Sequence, residues 1–209
     1  MGAVEIAIGP VRLPGELHVP PAAAGVVVFA HGSGSSRLSP RNLAVARVLG
    51  ERGLGTLLFD LLTPDEADDR ANVFDIELLA ERLSAAAAWL GEREDAGGLR
   101  QGLFGASTGA AAALVAAALP GNSIAAVVSR GGRPDLAGQA LEAVTAPTLL
   151  IVGGHDEAVL ELNREAQAHL RCLSRLEVVP GATHLFEERG ALERVAELAA
   201  DWFVEHQRG

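Results

Sequence analysis

The chain has 209 residues, of which 49% are hydrophobic and 21% are charged, and 27 acidic against 17 basic residues give it a formal net charge of −10. This composition excludes an intrinsically disordered chain, because such chains have too few apolar residues to build a core. The negative charge argues against nucleic-acid or anionic-membrane partners, since their phosphates would be repelled. A single cysteine, Cys172, excludes an internal disulfide and a cysteine-rich zinc site.

The length and the segment order favour a single domain over residues 1–209, which is long enough to bury a full core. The N-terminus lacks the basic stretch and apolar run of a signal peptide. No uninterrupted apolar stretch reaches the length of about 18 residues that a membrane-spanning helix needs. Together with the low cysteine content, these features predict a cytoplasmic protein.

Short apolar segments alternate with segments of helical spacing along the chain. The first prediction is a strand pair over 4–8 and 11–19, joined by Gly9-Pro10. Further strands are predicted over 26–30, 56–59, 103–104, 124–128, 148–152 and 176–179, and helices over 43–49, 76–90, 110–119, 159–173 and 192–203. The polar segment 63–72 is predicted to be a surface loop. Such alternation predicts an α/β fold, with a mostly parallel sheet between two layers of helices.

A candidate nucleophile lies in Gly105-Ala106-Ser107-Thr108-Gly109, which matches the pattern G-x-S-x-G. The motif follows a predicted strand and precedes an Ala-rich helix, which is the context of a nucleophile elbow. The sharp turn needs small neighbours, and it sets Ser107 at a helix N-terminus, where negative charge is favoured. The alternative is a Gly-rich turn in which Ser107 acts only as an N-cap.

His184 and Asp156 are the candidate base and its orienting acid, since a hydroxyl needs a base and the base needs a partner. Each follows a predicted strand and a glycine-containing turn, and the order Ser, acid, His is the one expected in a fold with a nucleophile elbow. Three alternatives stay open. Asp156 can serve as a helix cap, His184 can be a surface histidine, and Asp60 or Glu157 can be the acid.

The loop His31-Gly32-Ser33-Gly34, after the strand 26–30, is the candidate second half of an oxyanion hole. One N–H donor is expected from Thr108, the residue after the nucleophile, and the other from Ser33 or, next, from Gly34. His31 is predicted to hold the loop by hydrogen bonds. The alternative is phosphate binding by segment 32–37, which begins like G-x-G-x-x-G but has Arg37 at the third glycine position.

Arg130 and Arg133 are candidates for holding a substrate carboxylate or phosphate, because they follow the strand 124–128 on the same edge of the sheet. The alternative is a local salt bridge, to Asp135 or to the acidic loop. Asp60, which ends the strand 56–59, is a further candidate for lining the substrate site. Only residues 129–147 separate two predicted strands here, which leaves little room for a cap over the site.

Four segments together resemble α/β-hydrolases of the dienelactone hydrolase-like group: His31-Gly32-Ser33-Gly34, Gly105-Ala106-Ser107-Thr108-Gly109, Gly153-Gly154-His155-Asp156 and Pro180-Gly181-Ala182-Thr183-His184. The resemblance extends from about Val26 to Phe203. The chain is also similar to the hydrolase half of bacterial fusions that join a phosphoribosyltransferase to such a hydrolase, and we expect no phosphoribosyltransferase segment within it.

The resemblance implies an α/β-hydrolase three-layer sandwich with a minimal cap and with helices on both faces of the sheet. It also implies Ser107 as nucleophile, His184 as base and Asp156 as its orienter, with no metal and no organic cofactor. Dienelactone hydrolases proper carry a cysteine at the elbow, so Ser107 favours a serine esterase over lactone specificity.

The predicted function is cleavage of a small-molecule carboxylic ester, thioester or lactone through an acyl-enzyme. Two alternatives remain. One is a non-catalytic binding or regulatory module that keeps the hydrolase fold, and the other is an acyltransferase that uses the same triad with an acceptor other than water.

Overall fold

A central eight-stranded sheet organises the computed structural model, which describes residues 2–207. The strands are β1 (Gly2–Ile8), β2 (Val11–His18), β3 (Val26–Ala30), β4 (Gly55–Phe59), β5 (Gln101–Ala106), β6 (Ile124–Arg130), β7 (Thr148–Gly153) and β8 (Ser174–Val179). Their order across the sheet is β1–β2–β4–β3–β5–β6–β7–β8. The pairs β1–β2 and β2–β4 are antiparallel, and all other neighbours are parallel. The predicted mostly parallel sheet, with its initial strand pair, is confirmed.

Helices cover both faces of the sheet. They are α1 (Pro40–Glu51), α2 (Pro64–Ala67), α3 (Arg70–Val73), α4 (Ile76–Gly91), α5 (Thr108–Ala118), α6 (Glu157–His169) and α7 (Ala191–Gln207). The buried residues of α1 and α7 form one core with one face of the sheet, and those of α4, α5 and α6 belong to the core on the other face. The predicted three-layer sandwich is therefore confirmed.

The strands β3, β4 and β7 in the interior of the sheet bury every residue. All five residues of β3 are buried, as expected for a continuous apolar run in a parallel strand covered on both faces. The Ala-rich helix α5 is apolar all round, and Ala111, Ala112 and Leu114 have no exposed surface. Small side chains let α5 lie close to the sheet, and its first residue directly follows Ser107.

Two predicted elements differ from the structure. Segment 63–72 is not a plain loop but contains α2 and α3, because Thr63 and Glu66 form a reciprocal capping box and Asp69 caps α3. The helix predicted over 159–173 ends at His169. The chain beyond it already runs beside β7, where the Leu173 carbonyl accepts from the Thr148 N–H at 2.9 Å.

The connection between β6 and β7 is a 3₁₀ segment over Pro134–Ala143, broken at Gly138, where φ is 52°. This connection has the short length that the sequence indicates for a fold with little cap. Among the helices of residues 2–207, none combines the length and the apolar character that crossing a membrane requires.

Candidate active site

Ser107 lies in the turn between β5 and α5 with an unusual backbone conformation, φ 52° and ψ −122°. A non-glycine residue with positive φ is strained, and such strain is typical of a nucleophile elbow. Ser107 occupies the N-cap position of α5, yet its side chain makes no capping hydrogen bond. The alternative of a serine that serves only as an N-cap therefore has no support from the geometry.

The two glycines of the motif are required by close approach of the backbone. A methyl group at Gly105 would lie 2.4 Å from Cα of Ala110, and one at Gly109 would lie 2.3 Å from the carbonyl oxygen of Ala30. Neither distance is compatible with a side chain. The packing of α5 against the ends of β5 and β3 therefore requires small residues around Ser107, as the sequence predicts.

His184 and Asp156 are hydrogen-bonded, with 2.6 Å between Nδ1 and Oδ2. Asp156 stands at the N-cap position of α6 but makes no side-chain capping bond there, so its carboxylate is directed to the imidazole. Two backbone bonds hold the loops that carry the pair together. The Gly154 N–H donates to Val179 O, and the His155 N–H donates to Ala182 O, both at 2.9 Å.

The segment 130–133 connects Ser107 to this pair. The Ser107 N–H donates to Arg130 O at 3.2 Å, and the Arg133 N–H donates to Ser107 O at 3.1 Å. A methyl group at Gly131 would lie 3.6 Å from Cε1 of His184. Ser107 and His184 thus flank one short segment. Within residues 2–207, the Ser107 hydroxyl makes no hydrogen bond, which leaves it open to a base and to substrate.

Asn163 supports this segment and was missed by the sequence analysis. It is fully buried on α6, and its Nδ2 donates to Gly132 O at 3.0 Å and to Val159 O at 2.8 Å. Its spacing of three from Leu160 and from Ala166 sets it in the apolar stripe of α6. The sequence did carry a signal for this role, namely a polar residue within an apolar stripe, because a buried amide needs hydrogen-bond partners.

The predicted oxyanion donors differ in how their N–H groups are engaged. The Ser33 N–H donates to Thr108 Oγ1 at 2.9 Å. The N–H groups of Thr108 and Gly34 have no acceptor within the described residues. The loop nevertheless lies against Ser107, since a methyl group at Gly32 would be 3.0 Å from Cβ of Ser107. The Thr108 hydroxyl was not anticipated in this role.

His31 holds the loop as predicted. The Leu61 N–H donates to Nε2 of His31 at 3.1 Å, so the ring proton is on Nδ1, which lies 3.1 Å from Gly32 O. Burial lowers the pKa of His31 below its ordinary value, against the opposing effects of Gly32 O and the Asp60 carboxylate. The neutral ring thereby connects the loop after β3 to the end of β4.

The two candidate arginines have different surroundings. Arg133 forms a bidentate pair with Asp135, with Nε–Oδ1 at 2.9 Å and Nη2–Oδ2 at 2.7 Å, which is the local salt bridge that the sequence left open. Arg130 is 8% exposed, and its guanidinium has neither a hydrogen bond nor an ion pair within residues 2–207. Burial, and then the charge of Arg41, lower the pKa of Arg130 to about 10.

Asp60 pairs with Arg37, with Nη1–Oδ2 at 2.5 Å, and its Oδ1 accepts from the Arg37 N–H at 2.7 Å. Both residues line a cavity beside the loop after β3. The cation of Arg37 is therefore already neutralised, which removes the charge that phosphate binding by segment 32–37 would use. Within residues 2–207, no three His, Cys, Asp or Glu side chains lie together as a metal site requires.

The family of the chain is shown by a sequence profile and by a solved structure. The sequence profile of the Dienelactone hydrolase family matches residues 15–206. The crystal structure of a dienelactone hydrolase from Anabaena variabilis ATCC 29413 is 55% identical, with a TM-score of 0.96 over 99% of this chain and 98% of that one. Est1E from Butyrivibrio proteoclasticus has a TM-score of 0.83 over 99% of both chains at 18% identity, which shows the shared fold alone.

Two proteins of Mycobacterium tuberculosis, from strains CDC 1551 / Oshkosh and ATCC 25618 / H37Rv, are 62% identical over 206 residues. Both are provisionally named phosphoribosyl transferases. The match covers 99% of this chain but 46% of theirs, so the chain spans about half the length of these curated relatives.

Proposed function

The chain belongs to the dienelactone hydrolase family, and we propose that it is a serine hydrolase that cleaves a carboxylic ester, thioester or lactone through an acyl-enzyme. One observation carries the proposal. A strained serine with an unengaged hydroxyl lies at the same sheet edge as a histidine whose Nδ1 is 2.6 Å from a carboxylate. This is the constellation that activates a hydroxyl, since the base is held in one tautomer by its acid.

In the proposed reaction, Ser107 Oγ attacks the carbonyl carbon while His184 Nε2 accepts its proton. Asp156 accepts the Nδ1–H of His184 and stabilises the imidazolium that forms. The oxyanion binds to the N–H of Thr108 and to that of Gly34, because the Ser33 N–H already donates to Thr108 Oγ1. His184 then protonates the leaving group, and it activates the water that releases the acyl group.

Labelling with a fluorophosphonate tests the activated serine directly. We expect one covalent adduct per chain by intact-mass spectrometry, mapped to Ser107, because the reagent reacts with serines that have a base. The adduct should be lost in Ser107→Ala and strongly slowed in His184→Ala. Ser123→Ala, at an exposed serine remote from the site, is the matched control and should label like the wild type. A folded wild-type chain without an adduct at Ser107 would favour a binding or regulatory module.

We do not propose a phosphoribosyl transferase activity for this chain. The mycobacterial relatives carry that name, but this chain matches only 46% of their length. Transfer of the acyl group to an acceptor other than water uses the same residues. Product analysis separates the two outcomes, because an added alcohol or amine would take the acyl group from a transferase in preference to water.

We further propose that Arg130 binds an anionic group of the substrate. An unpaired buried charge costs several kcal/mol, which a ligand carboxylate would offset. Strand β6 lies between β5 and β7, which precede Ser107 and Asp156, so Arg130 is near both halves of the triad. Arg133 is not proposed for this role, because its pair with Asp135 satisfies its charge.

Arg130→Gln is expected to raise KM about 10- to 100-fold for 4-acetoxybenzoate, the range for losing one charged hydrogen bond, and to leave KM for phenyl acetate unchanged. The two esters differ only in the carboxylate. Arg133→Gln is the matched control with no effect on either KM. Thermal unfolding should show no loss of stability in Arg130→Gln, because no native partner is left unpaired. Equal changes in both KM values would contradict the role.

A further inference from the structure

A cavity of about 340 Å³ opens beside the loop 31–34, which we propose as part of the oxyanion hole, at the ends of β3 and β4. Its walls include the apolar side chains of Leu61, Leu62, Val73 and Leu79, and the exposed Ala67 lies on its roof. The size is near the lower limit of about 300–1,000 Å³ for small-molecule sites. A short, flexible group would fill such a space.

The cavity carries no net charge. Among its described lining residues, the ionisable ones are His31, Arg37 and Asp60. Arg37 and Asp60 neutralise each other at 2.5 Å, and burial disfavours the charged form of His31. Both ring nitrogens of His31 are satisfied by the backbone, since Nδ1 donates to Gly32 O and Nε2 accepts from the Leu61 N–H. The chemistry of the lining thus favours an uncharged, apolar occupant.

The order of the sheet determines which part of an ester can reach this cavity. Ser107 follows β5, with β3 and β4 on one flank and β6, β7 and β8 on the other. His184 follows β8, and it must protonate the leaving group. The leaving group therefore lies toward β6–β8, and the acyl chain extends the opposite way, toward the cavity at β3 and β4.

We propose that this cavity is the acyl-binding site and that the substrate has an uncharged, apolar acyl chain. The assignment rests on the proposed function and specifies its substrate class.

The roof of the cavity is fixed in place by a network around Glu66. Its Oε1 pairs with Arg82 Nη2 at 2.7 Å, and its Oε2 accepts from the Thr63 N–H at 2.9 Å. Asn72 Nδ2 donates to the Glu66 carbonyl at 3.0 Å. These bonds tie α2 and α3 to α4, so the cavity is formed before substrate arrives. An acyl chain then gains binding free energy from each buried methylene, because none of that free energy is needed to order the roof.

The test is a series of 4-nitrophenyl esters from acetate through butanoate and hexanoate to octanoate. The leaving group is constant, so differences report on the acyl chain. In the wild type, kcat/KM should rise about fourfold per methylene until the cavity is full, as expected for burial of each methylene. Equal kcat/KM across the series would overturn the acyl assignment, while turnover of the acetate ester would still support the hydrolase.

Ala67→Trp reduces the cavity and should lower kcat/KM for hexanoate by about tenfold or more, with the acetate ester within about twofold of the wild type. Ala71→Trp is the matched control, since Ala71 is exposed on the same roof but does not line the cavity, and its profile should be that of the wild type. Val73→Phe is a second variant that fills part of the cavity, and its melting temperature is measured to show that it is folded. Equal losses for acetate and hexanoate in both folded variants would overturn the acyl-binding assignment. A wild type that hydrolyses none of the esters would overturn both this assignment and the proposed function.

Discussion

His184→Ala is expected to lower kcat about 10⁶-fold, the loss typical of removing the base of a serine hydrolase, which corresponds to about 8 kcal/mol of transition-state stabilisation. The physical reason is that His184, oriented by Asp156 at 2.6 Å, is the base we propose for Ser107, and no other side chain within residues 2–207 forms a hydrogen bond with the Ser107 hydroxyl that would replace it. The measurement is kcat for 4-nitrophenyl acetate, with the melting temperature of both chains.

His169→Ala is the control for this substitution. His169 is an exposed histidine at the end of α6, away from the strand ends near Ser107, Asp156 and His184, and we expect kcat to stay within about twofold of the wild type. A His184→Ala chain that is folded and keeps a tenth of the wild-type kcat would show that another group acts as the base, and would remove His184 from the mechanism.

Asp156→Asn should lower kcat about 10⁴-fold at neutral pH, or about 5 kcal/mol, with little change in stability. The carboxylate accepts the Nδ1–H of His184 at 2.6 Å, whereas an amide can present its NH₂ to the ring and favour the wrong tautomer. Asparagine is as good as aspartate at an N-cap position, and the Asp156 side chain makes no capping bond. The loss is therefore chemical rather than structural.

Glu157→Gln is the matched control, because Glu157 is the adjacent acid and is exposed. Its kcat should be unchanged. The opposite pattern, with a large loss in Glu157→Gln and a small one in Asp156→Asn, would transfer the orienting role to Glu157. Single-turnover measurements with both variants would show whether the loss lies in acylation, as expected for a base in the wrong tautomer.

The elements that the amino-acid pattern predicted well are those in which local chemistry and tertiary packing agree. The continuous apolar run of β3 is buried on both faces, and the Ala-rich α5 is buried all round. Segment 63–72 was less predictable, because its helices depend on the caps formed by Thr63 and Asp69 in a polar stretch without apolar periodicity. The helix predicted over 159–173 was too long for a related reason. Beyond His169 the chain pairs beside β7, and this pairing outweighs the helical spacing of its residues.

Candidate residues were accessible from the sequence where the fold itself brings them together. In a parallel sheet the residues after successive strands meet at one edge, so the motif around Ser107 and the loops that carry Asp156 and His184 were identified without coordinates. The contact between the last two, 2.6 Å, is in keeping with that expectation. Their roles in catalysis stay predictions until the variants are measured.

The sequence alone thus determined the α/β class, the strand–turn–helix around Ser107 and the family, because these depend on local pattern and chain order. Only the tertiary structure distinguished Arg130 from Arg133, which look alike in the chain. The Arg130 guanidinium is buried with no partner among residues 2–207, whereas that of Arg133 is bound to Asp135. The tertiary structure alone revealed the apolar cavity beside the loop 31–34. Burial, charge pairing and cavities arise from residues far apart in sequence, so no local pattern encodes them.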